Sequence, residues 1–150
     1  MKNLSFTKVV FIFITILMAI SPANISAKNS FATNSDIKWN TIEEAIATNK
    51  NNNKKFILVV LYTDWCGWCK KMDATTFSNE KVIKYMNRNY YCVKFNAERK
   101  DTFQFQGKQY YFEPQYKCNT LAAELMRGQM SYPTTILMME NFQNPQPIPG

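Results

Sequence analysis

Two uncharged apolar runs stand out in the pattern of hydrophobic and polar residues along this chain. The first covers residues 9–20, and the second covers Phe56–Tyr62 with the sequence FILVVLY. The second run has the length of a strand and carries no polar residue on either face. Because such runs are typical of central parallel strands buried on both sides, we predict a buried strand at 56–62.

A helical pattern precedes this strand. Four apolar residues recur there at roughly helical spacing: Trp39, Ile42, Ala45 and Ile46. A capping box can start the helix, formed either by Asn40 with Glu43 or by Thr41 with Glu44. We therefore predict an early helix with Trp39 as its core anchor. The polar stretch 49–55 then predicts a solvated connector.

The segment after the strand alternates between helical and strand patterns. Residues 70–73 are compatible with a helix, and Ser78 can cap a second helix that runs to Asn89. Its predicted apolar side consists of Val82, Ile83 and Met86. Residues Tyr90–Asn96 (YYCVKFN) predict another strand. Strand, helix and strand together predict a parallel βαβ unit with a right-handed crossover.

A longer connection, at about 97–130, separates this unit from the last predicted strand. Residues 103–112 alternate around Gly107, which predicts a hairpin. Asn119 is expected to cap a short helix that ends at Gly128. The apolar residues of that helix are Leu121, Ala122, Leu125 and Met126. Residues 135–139 then predict a third strand of the main sheet.

The N-terminal residues have the pattern of a secretory signal. Lys2 and Lys8 precede the apolar run 9–20 and supply its positive flank. Small residues at 21–23 and 25–27 offer cleavage sites. The alternative is an uncleaved membrane anchor, but the run is short for a span of about 20 residues. We predict a signal peptide at 1–27, a flexible lead-in at 28–38 and one domain at 39–150. The expected location is periplasmic or extracellular.

Charge and composition exclude several classes of function. The 150-residue chain has a formal net charge of +7 and no histidine. The absence of histidine excludes a His-based catalytic triad and a His-containing zinc site. The basic residues form no dense stripe, so nucleic-acid binding is not predicted. We also predict no membrane association once the signal is removed.

The motif Cys66-Gly67-Trp68-Cys69 lies between the strand 56–62 and the helix after it. At a helix start, free backbone N–H groups and the helix dipole stabilise a thiolate. We therefore predict that Cys66 is the nucleophile and Cys69 the resolving thiol. Half of a zinc site is an alternative, but the chain has no second Cys-x-x-Cys pair. A purely structural disulfide is the other alternative.

Residues 59–70 (VVLYTDWCGWCK) resemble the active-site strand and turn of thioredoxin-family proteins. The string WCGWCKKM is similar to that of exported bacterial members, and the resemblance spans roughly 37–149. It implies a thioredoxin-like α/β fold, with a mixed central sheet and helices on both faces. Residues 131–134 resemble the family's cis-proline segment. The resemblance implies that Pro133 lies beside the disulfide and that the backbone of Tyr132 pairs with an extended substrate.

The chain departs from thioredoxin at three places. Val60 occupies the position of a buried acid, so proton transfer must rely on water, a lysine or another acid. Gly67-Trp68 replaces the usual Gly-Pro between the cysteines, which leaves the reduction potential open. The sequence stops at Gly150, where the family continues with another strand and a final helix. The chain is then expected to be a fragment or a shortened protein.

These patterns predict a thiol–disulfide oxidoreductase that acts on exported proteins. The motif leaves the direction of the reaction open, and the resemblance to reducing relatives favours a reductase recharged by an external thiol donor. No metal and no organic cofactor are expected. Trp65 and Trp68 flank the cysteines and are predicted to contact unfolded substrates. The alternative is a non-catalytic thioredoxin-like binding module with a static Cys66–Cys69 bridge. Cys92 is expected to be a buried apolar residue, and a bridge between Cys92 and Cys118 is left open.

Overall fold

The computed structural model describes residues 36–49 and 56–150 of the chain. The predicted signal peptide, the lead-in before residue 36 and the connector at 50–55 lie outside these ranges. The helices are α1 (Ile42–Asn49), α2 (Gly67–Thr75), α3 (Glu80–Asn89) and α4 (Thr120–Leu125). None of the helices in these two ranges is long and apolar enough to cross a bilayer.

The main sheet has five strands: β1 (Trp39–Asn40), β2 (Phe56–Tyr62), β3 (Tyr90–Asn96), β8 (Thr134–Met138) and β9 (Gln146–Pro149). Two small antiparallel pairs lie between β3 and α4 in the chain. They are formed by β4 (Phe103–Phe105) with β5 (Lys108–Tyr110), and by β6 (Phe112–Glu113) with β7 (Cys118–Asn119). The main sheet has the order β1-β3-β2-β8-β9.

Strand directions confirm the predicted βαβ unit. Strand β2 pairs with β3 in parallel, and the two strands are joined through α2 and α3. Strand β8 pairs antiparallel with β2, and β9 pairs antiparallel with β8. The sheet is therefore mixed, and β2 lies at its centre, as its uninterrupted apolar sequence predicts.

Alternate residues of β2 enter two separate cores, which explains why no position in the strand is polar. Val59 and its neighbours on one face pack with α1, α4 and the inserted hairpin. Leu58 and Val60 on the other face pack with Ile83 and Met86 of α3. Helices thus cover both faces of the sheet, and the predicted thioredoxin-like α/β architecture is confirmed.

The early helix begins at Ile42, so Trp39 is not part of it. Trp39 lies in β1, where it pairs with Cys92 of β3, and its ring packs edge-on against Phe77 at a centroid distance of 5.1 Å. The capping box uses the second predicted pair: the Glu44 carboxylate accepts from the Thr41 N–H, and the Thr41 hydroxyl accepts from the Glu44 N–H. A strand end followed directly by a capped helix produced the apparent helical spacing.

Two further expectations are corrected by the structure. Asn79, not Ser78, caps α3, because its side chain accepts from the N–H groups of Lys81 and Val82. The Ser78 hydroxyl instead donates to the carbonyl of Ala74. The resemblance to thioredoxin implied that a C-terminal strand is missing, but this strand is present as β9. Among the described residues, no helix follows it.

The inserted segment is part of the core rather than an appendage. Its hairpin turns at Gln106 and Gly107, whose φ angles of 50° and 77° fit a two-residue turn of the type that hairpins favour. Phe105 and Tyr110 are buried in the larger core. The hairpin ends at Tyr110, earlier than predicted, because the chain then starts the separate β6–β7 pair.

Cys92 and Cys118 are buried, and no disulfide joins them. Cys92 packs in the smaller core, as predicted for a small apolar residue. Burial is the largest cause of the raised pKa of Cys118. Neither thiol is therefore expected to be reactive in the folded protein.

Candidate functional site

The two cysteines of the Cys-x-x-Cys motif lie where β2 passes into α2. After β2 the chain makes a turn in which the Cys66 N–H donates to the Thr63 carbonyl at 3.1 Å. Cys66 is the N-cap of α2, and Cys69 lies in its first turn. This places the Cα atoms 5.3 Å apart, and the sulfurs form a disulfide.

The backbone of α2 donates a hydrogen bond to the first sulfur. The Cys69 N–H lies 3.0 Å from the Sγ of Cys66, which occupies the position of a capping oxygen. In this oxidised state the acceptor is a disulfide sulfur, and after reduction the same atom is the Cys66 thiol or thiolate. A free N–H group and the positive end of a helix dipole both favour the thiolate there. The geometry can therefore activate Cys66.

Exposure differs sharply between the cysteines and their tryptophan neighbours. Cys66 and Cys69 are only 4% and 6% exposed, whereas Trp65 and Trp68 are 67% and 68% exposed. The disulfide thus lies at a surface with two large apolar side chains.

Trp65 and Tyr132 meet on one side of this surface. Their rings pack edge-on with centroids 6.0 Å apart, and the peptide bond between Tyr132 and Pro133 is cis. The indole N–H of Trp65 donates to the Glu98 carboxylate at 3.0 Å. Glu98 was not predicted as a site residue. The sequence feature that could have identified Glu98 is its position just after β3, since the ends of neighbouring parallel strands meet at one edge of a sheet.

Burial, then the neighbouring Cys118 and Glu98, raises the pKa of Tyr132 to about 12. The phenol is therefore protonated at neutral pH, and Tyr132 carries no charge. The raised pKa of Cys118 likewise keeps that buried thiol neutral. Glu98 is the acidic side chain in contact with Trp65.

Trp68 and Pro133 both line an open groove of about 470 Å³. The groove is also lined by Lys71, Met72, Thr75 and Gly150. Gly150 donates its N–H to the Pro133 carbonyl at 2.9 Å, and a Cβ atom at residue 150 would come within 2.9 Å of that oxygen. Lys71 lies over the Trp68 ring, with Nζ 4.6 Å from the ring centroid.

The six residues singled out from sequence thus fall into one region. Cys66 and Cys69 form the disulfide, Trp65 contacts Tyr132, and Trp68 shares the groove with Pro133. Within residues 36–49 and 56–150, no cluster of three or more His, Cys, Asp or Glu side chains is arranged to hold a metal ion. The chemistry that this arrangement can carry out is thiol–disulfide exchange.

Two solved structures share the architecture. The structure of DsbH oxidoreductase superimposes with a TM-score of 0.54 and 15% identity, over 86% of this chain and 83% of that protein. A putative disulphide-isomerase from Bacteroides thetaiotaomicron superimposes with a TM-score of 0.52 and 20% identity, over 77% and 83% of the two chains. At these identities the likeness concerns the fold alone.

Curated relatives match a smaller part of the chain. Spermatogenesis-associated protein 20 of Mus musculus is 34% identical over 58 residues, which cover 39% of this chain and 7% of that protein. A protein disulfide-isomerase of Schizosaccharomyces pombe is 43% identical over 47 residues, which cover 31% of this chain and 13% of the isomerase. The matched segments thus span less than a sixth of each relative.

A protein family matches most of the domain. Residues 42–144 match the family described as thioredoxin-like domain, a stretch that runs from the start of α1 to just before β9 and includes both cysteines of the motif. This match agrees with the sheet order and with the helices on both faces. The chain therefore belongs to the thioredoxin-like family.

Proposed function

We propose that this protein reduces disulfides of exported proteins through a dithiol formed by Cys66 and Cys69. The observation that carries the proposal is the hydrogen bond from the Cys69 N–H to the Cys66 sulfur at the start of α2. A structural disulfide requires no such activation of one sulfur. A catalytic dithiol requires it, because the thiolate is the attacking species.

The reaction proceeds in two exchanges. The Cys66 thiolate attacks one sulfur of a client disulfide, so that a mixed disulfide forms and the client's other sulfur leaves as a thiolate. Cys69 then loses its proton and attacks the Cys66 sulfur, which closes the Cys66–Cys69 disulfide and releases the second client thiolate. The client gains two electrons and two protons, and an external dithiol donor must return them to this protein.

The substrate-binding roles of Trp65, Trp68, Tyr132 and Pro133 are part of this proposal. Exposed tryptophan rings offer a large apolar contact area at a small entropic cost. The groove lined by Trp68 and Pro133 is wide enough to accept an apolar client side chain. Unfolded clients supply such side chains next to their cysteines.

Export is supported by the signal-like N-terminal sequence. The reducing direction is supported by the Gly-Trp pair between the cysteines, which departs from the Pro-His pair of strong oxidants. Export and the reducing direction are both part of the proposed function.

A redox titration of the full chain tests the proposal. The protein is equilibrated in glutathione buffers, its free thiols are alkylated and the oxidised fraction is measured on gels. Reducing thioredoxins have potentials of about −270 mV, and strong oxidants about −120 mV. We expect a reduction potential nearer to the value of thioredoxins than to that of strong oxidants. We also expect insulin reduction when dithiothreitol is the donor. A disulfide that resists strong reductant would instead indicate a static bridge in a non-catalytic binding module.

A further inference from the structure

Asp73 lies one helical turn after the resolving cysteine. Both residues belong to α2, and their spacing of four places them on the same face of the helix, with Cβ atoms about 5–6 Å apart. Cys69 is only 6% exposed, and the Asp73 side chain is 42% exposed. A carboxylate at this spacing acts on the protonation of the thiol through its charge.

A lysine from the sheet meets this carboxylate. The Nζ of Lys94 lies 2.6 Å from Oδ2 of Asp73, and Lys94 is the β3 residue paired in register with Val60. The lysine side chain is 28% exposed, and its Nζ also lies 5.2 Å from the Trp39 ring and 5.6 Å from the Tyr62 ring. The ion pair is thus partly buried between the sheet and α2.

The other charged and titratable groups around this pair have different surroundings. Burial, then Asp64 and Asp73, raises the pKa of Tyr62 at the end of β2, so its phenol is neutral. Asp64 lies in the exposed turn before Cys66, where it accepts from Asn96 at 3.2 Å. Lys70, the neighbour of Cys69 on α2, is exposed to solvent. Asp73 and Lys94 are therefore the opposite charges held together near Cys69.

We infer that Asp73 and Lys94 form a positioning pair that sets the protonation of Cys69, with Asp73 favouring its thiol and Lys94 favouring its thiolate. The effect of the pair on the protonation of Cys69 does not depend on the proposed function. Only its consequence for turnover rests on that function. During turnover, the carboxylate delays deprotonation of Cys69 and so lengthens the life of the mixed disulfide. The lysine limits this delay so that resolution still occurs at neutral pH.

Removing either charge leaves the other unbalanced, so the two variants are expected to act in opposite directions. In a Cys66→Ser background, Cys69 is the thiol of the motif that remains, and the pH dependence of its alkylation by iodoacetamide reports its thiolate fraction. We expect Asp73→Asn to raise that fraction at pH 7 by about tenfold and Lys94→Gln to lower it by about tenfold, as single charges at this range do in a partly solvated site. The exposed pair Glu80 and Lys84 supplies matched controls, because Glu80→Gln and Lys84→Gln change the same charges on α3.

A second experiment measures resolution of the mixed disulfide directly, in protein that retains both Cys66 and Cys69. Reduced protein is mixed with dithiobis-nitrobenzoate, and release of the coloured thiol is followed by stopped flow. The first release reports attack by Cys66, and the second reports resolution by Cys69. Because a thiol with a lower pKa is also a weaker nucleophile, the change in the second rate at pH 7 should be about threefold rather than tenfold. Asp73→Asn should raise this rate, and Lys94→Gln should lower it.

The outcomes distinguish a pair that sets the protonation of Cys69 from an ion pair with a structural role only. They also distinguish failure of this inference from failure of the proposed function. Equal thiolate fractions in all variants, or a shift in the same direction for Asp73→Asn and Lys94→Gln, would overturn the inference. If Lys94→Gln does not fold, Lys94→Met keeps the apolar stem over the two rings and must give the same direction. Absence of both releases in the unmodified protein would reject the proposed function, while the alkylation result would still decide the role of the pair.

Discussion

The backbone N–H of Cys69 donates to the Sγ of Cys66 across 3.0 Å, so the second cysteine contributes to the site through its main chain as well as its sulfur. Substituting the Cys69 side chain removes the resolving thiol but leaves this hydrogen bond. The two contributions of residue 69 can therefore be separated by experiment.

In Cys69→Ser, we expect Cys66 to be alkylated well below the pH at which an ordinary thiol reacts, because the helix N-terminus and the N–H group favour its thiolate. Alkylation rates measured across a pH series give its apparent pKa. A value near the unperturbed value of about 8.5 would mean that the site does not activate this sulfur.

The same variant should accumulate mixed disulfides. Cys69→Ser can attack a client disulfide but cannot resolve the product, whereas Cys66→Ser lacks the attacking sulfur. With insulin as the client, non-reducing gels should show covalent complexes for Cys69→Ser and almost none for Cys66→Ser. Equal amounts of complex in both variants would show that the assigned roles are wrong.

Val60→Asp tests the position at which this chain lacks the acid of thioredoxin. Val60 is 2% exposed, so an aspartate there would have a raised pKa and would serve as a base near neutral pH. We expect faster insulin reduction at pH 7 and a loss of about 1–3 kcal/mol in the free energy of unfolding. Kinetics across a pH series and urea melts measure the two effects.

Val59→Asp is the matched control for this substitution. Val59 is the next residue of β2, and it faces the larger core on the opposite side of the sheet. It should lose stability without any gain in rate. If both variants were equally fast, or if Val60→Asp changed neither rate nor stability, residue 60 would not face the cysteine pair.

Tyr132 makes stability depend on pH in alkaline solution. Its pKa is raised to about 12 in the folded protein against about 10 in an unfolded chain, so the folded state retains its proton longer. The resulting stabilisation is present below pH 10 and is lost as the pH rises toward 12. Urea melts between pH 9 and pH 12 should therefore show a smaller loss of stability for Tyr132→Phe than for the unmodified protein. Parallel losses in both proteins would contradict this assignment.

Patterns carried by a single segment were predicted from the sequence, and features that depend on register were not. The uninterrupted apolar sequence of β2 and the βαβ unit after it are both present in the structure. Trp39 was misassigned because a two-residue strand followed by a helix gives the same apolar spacing as one longer helix. Ser78 and Asn79 are both good N-cap residues, and local sequence alone does not decide between them.

The partners at the site were missed for the same reason. Glu98 reaches Trp65 only because β2 and β3 run in parallel, and Lys94 reaches Asp73 only because the pairing sets it beside Val60. Strand β9 was missed because its sequence QPIP contains two prolines, which disfavour a strand. The two prolines alternate along the strand, however, so the other residues can still pair with β8.

Those two prolines also affect how the protein can interact with extended polypeptides. Among the described strands, β9 forms one border of the main sheet and β1, with two residues, forms the other. A proline offers no N–H group, and a two-residue strand offers too short a template, so neither border favours the addition of a foreign strand. For a protein proposed to bind unfolded chains, this disfavours the addition of those chains to either border of the described sheet.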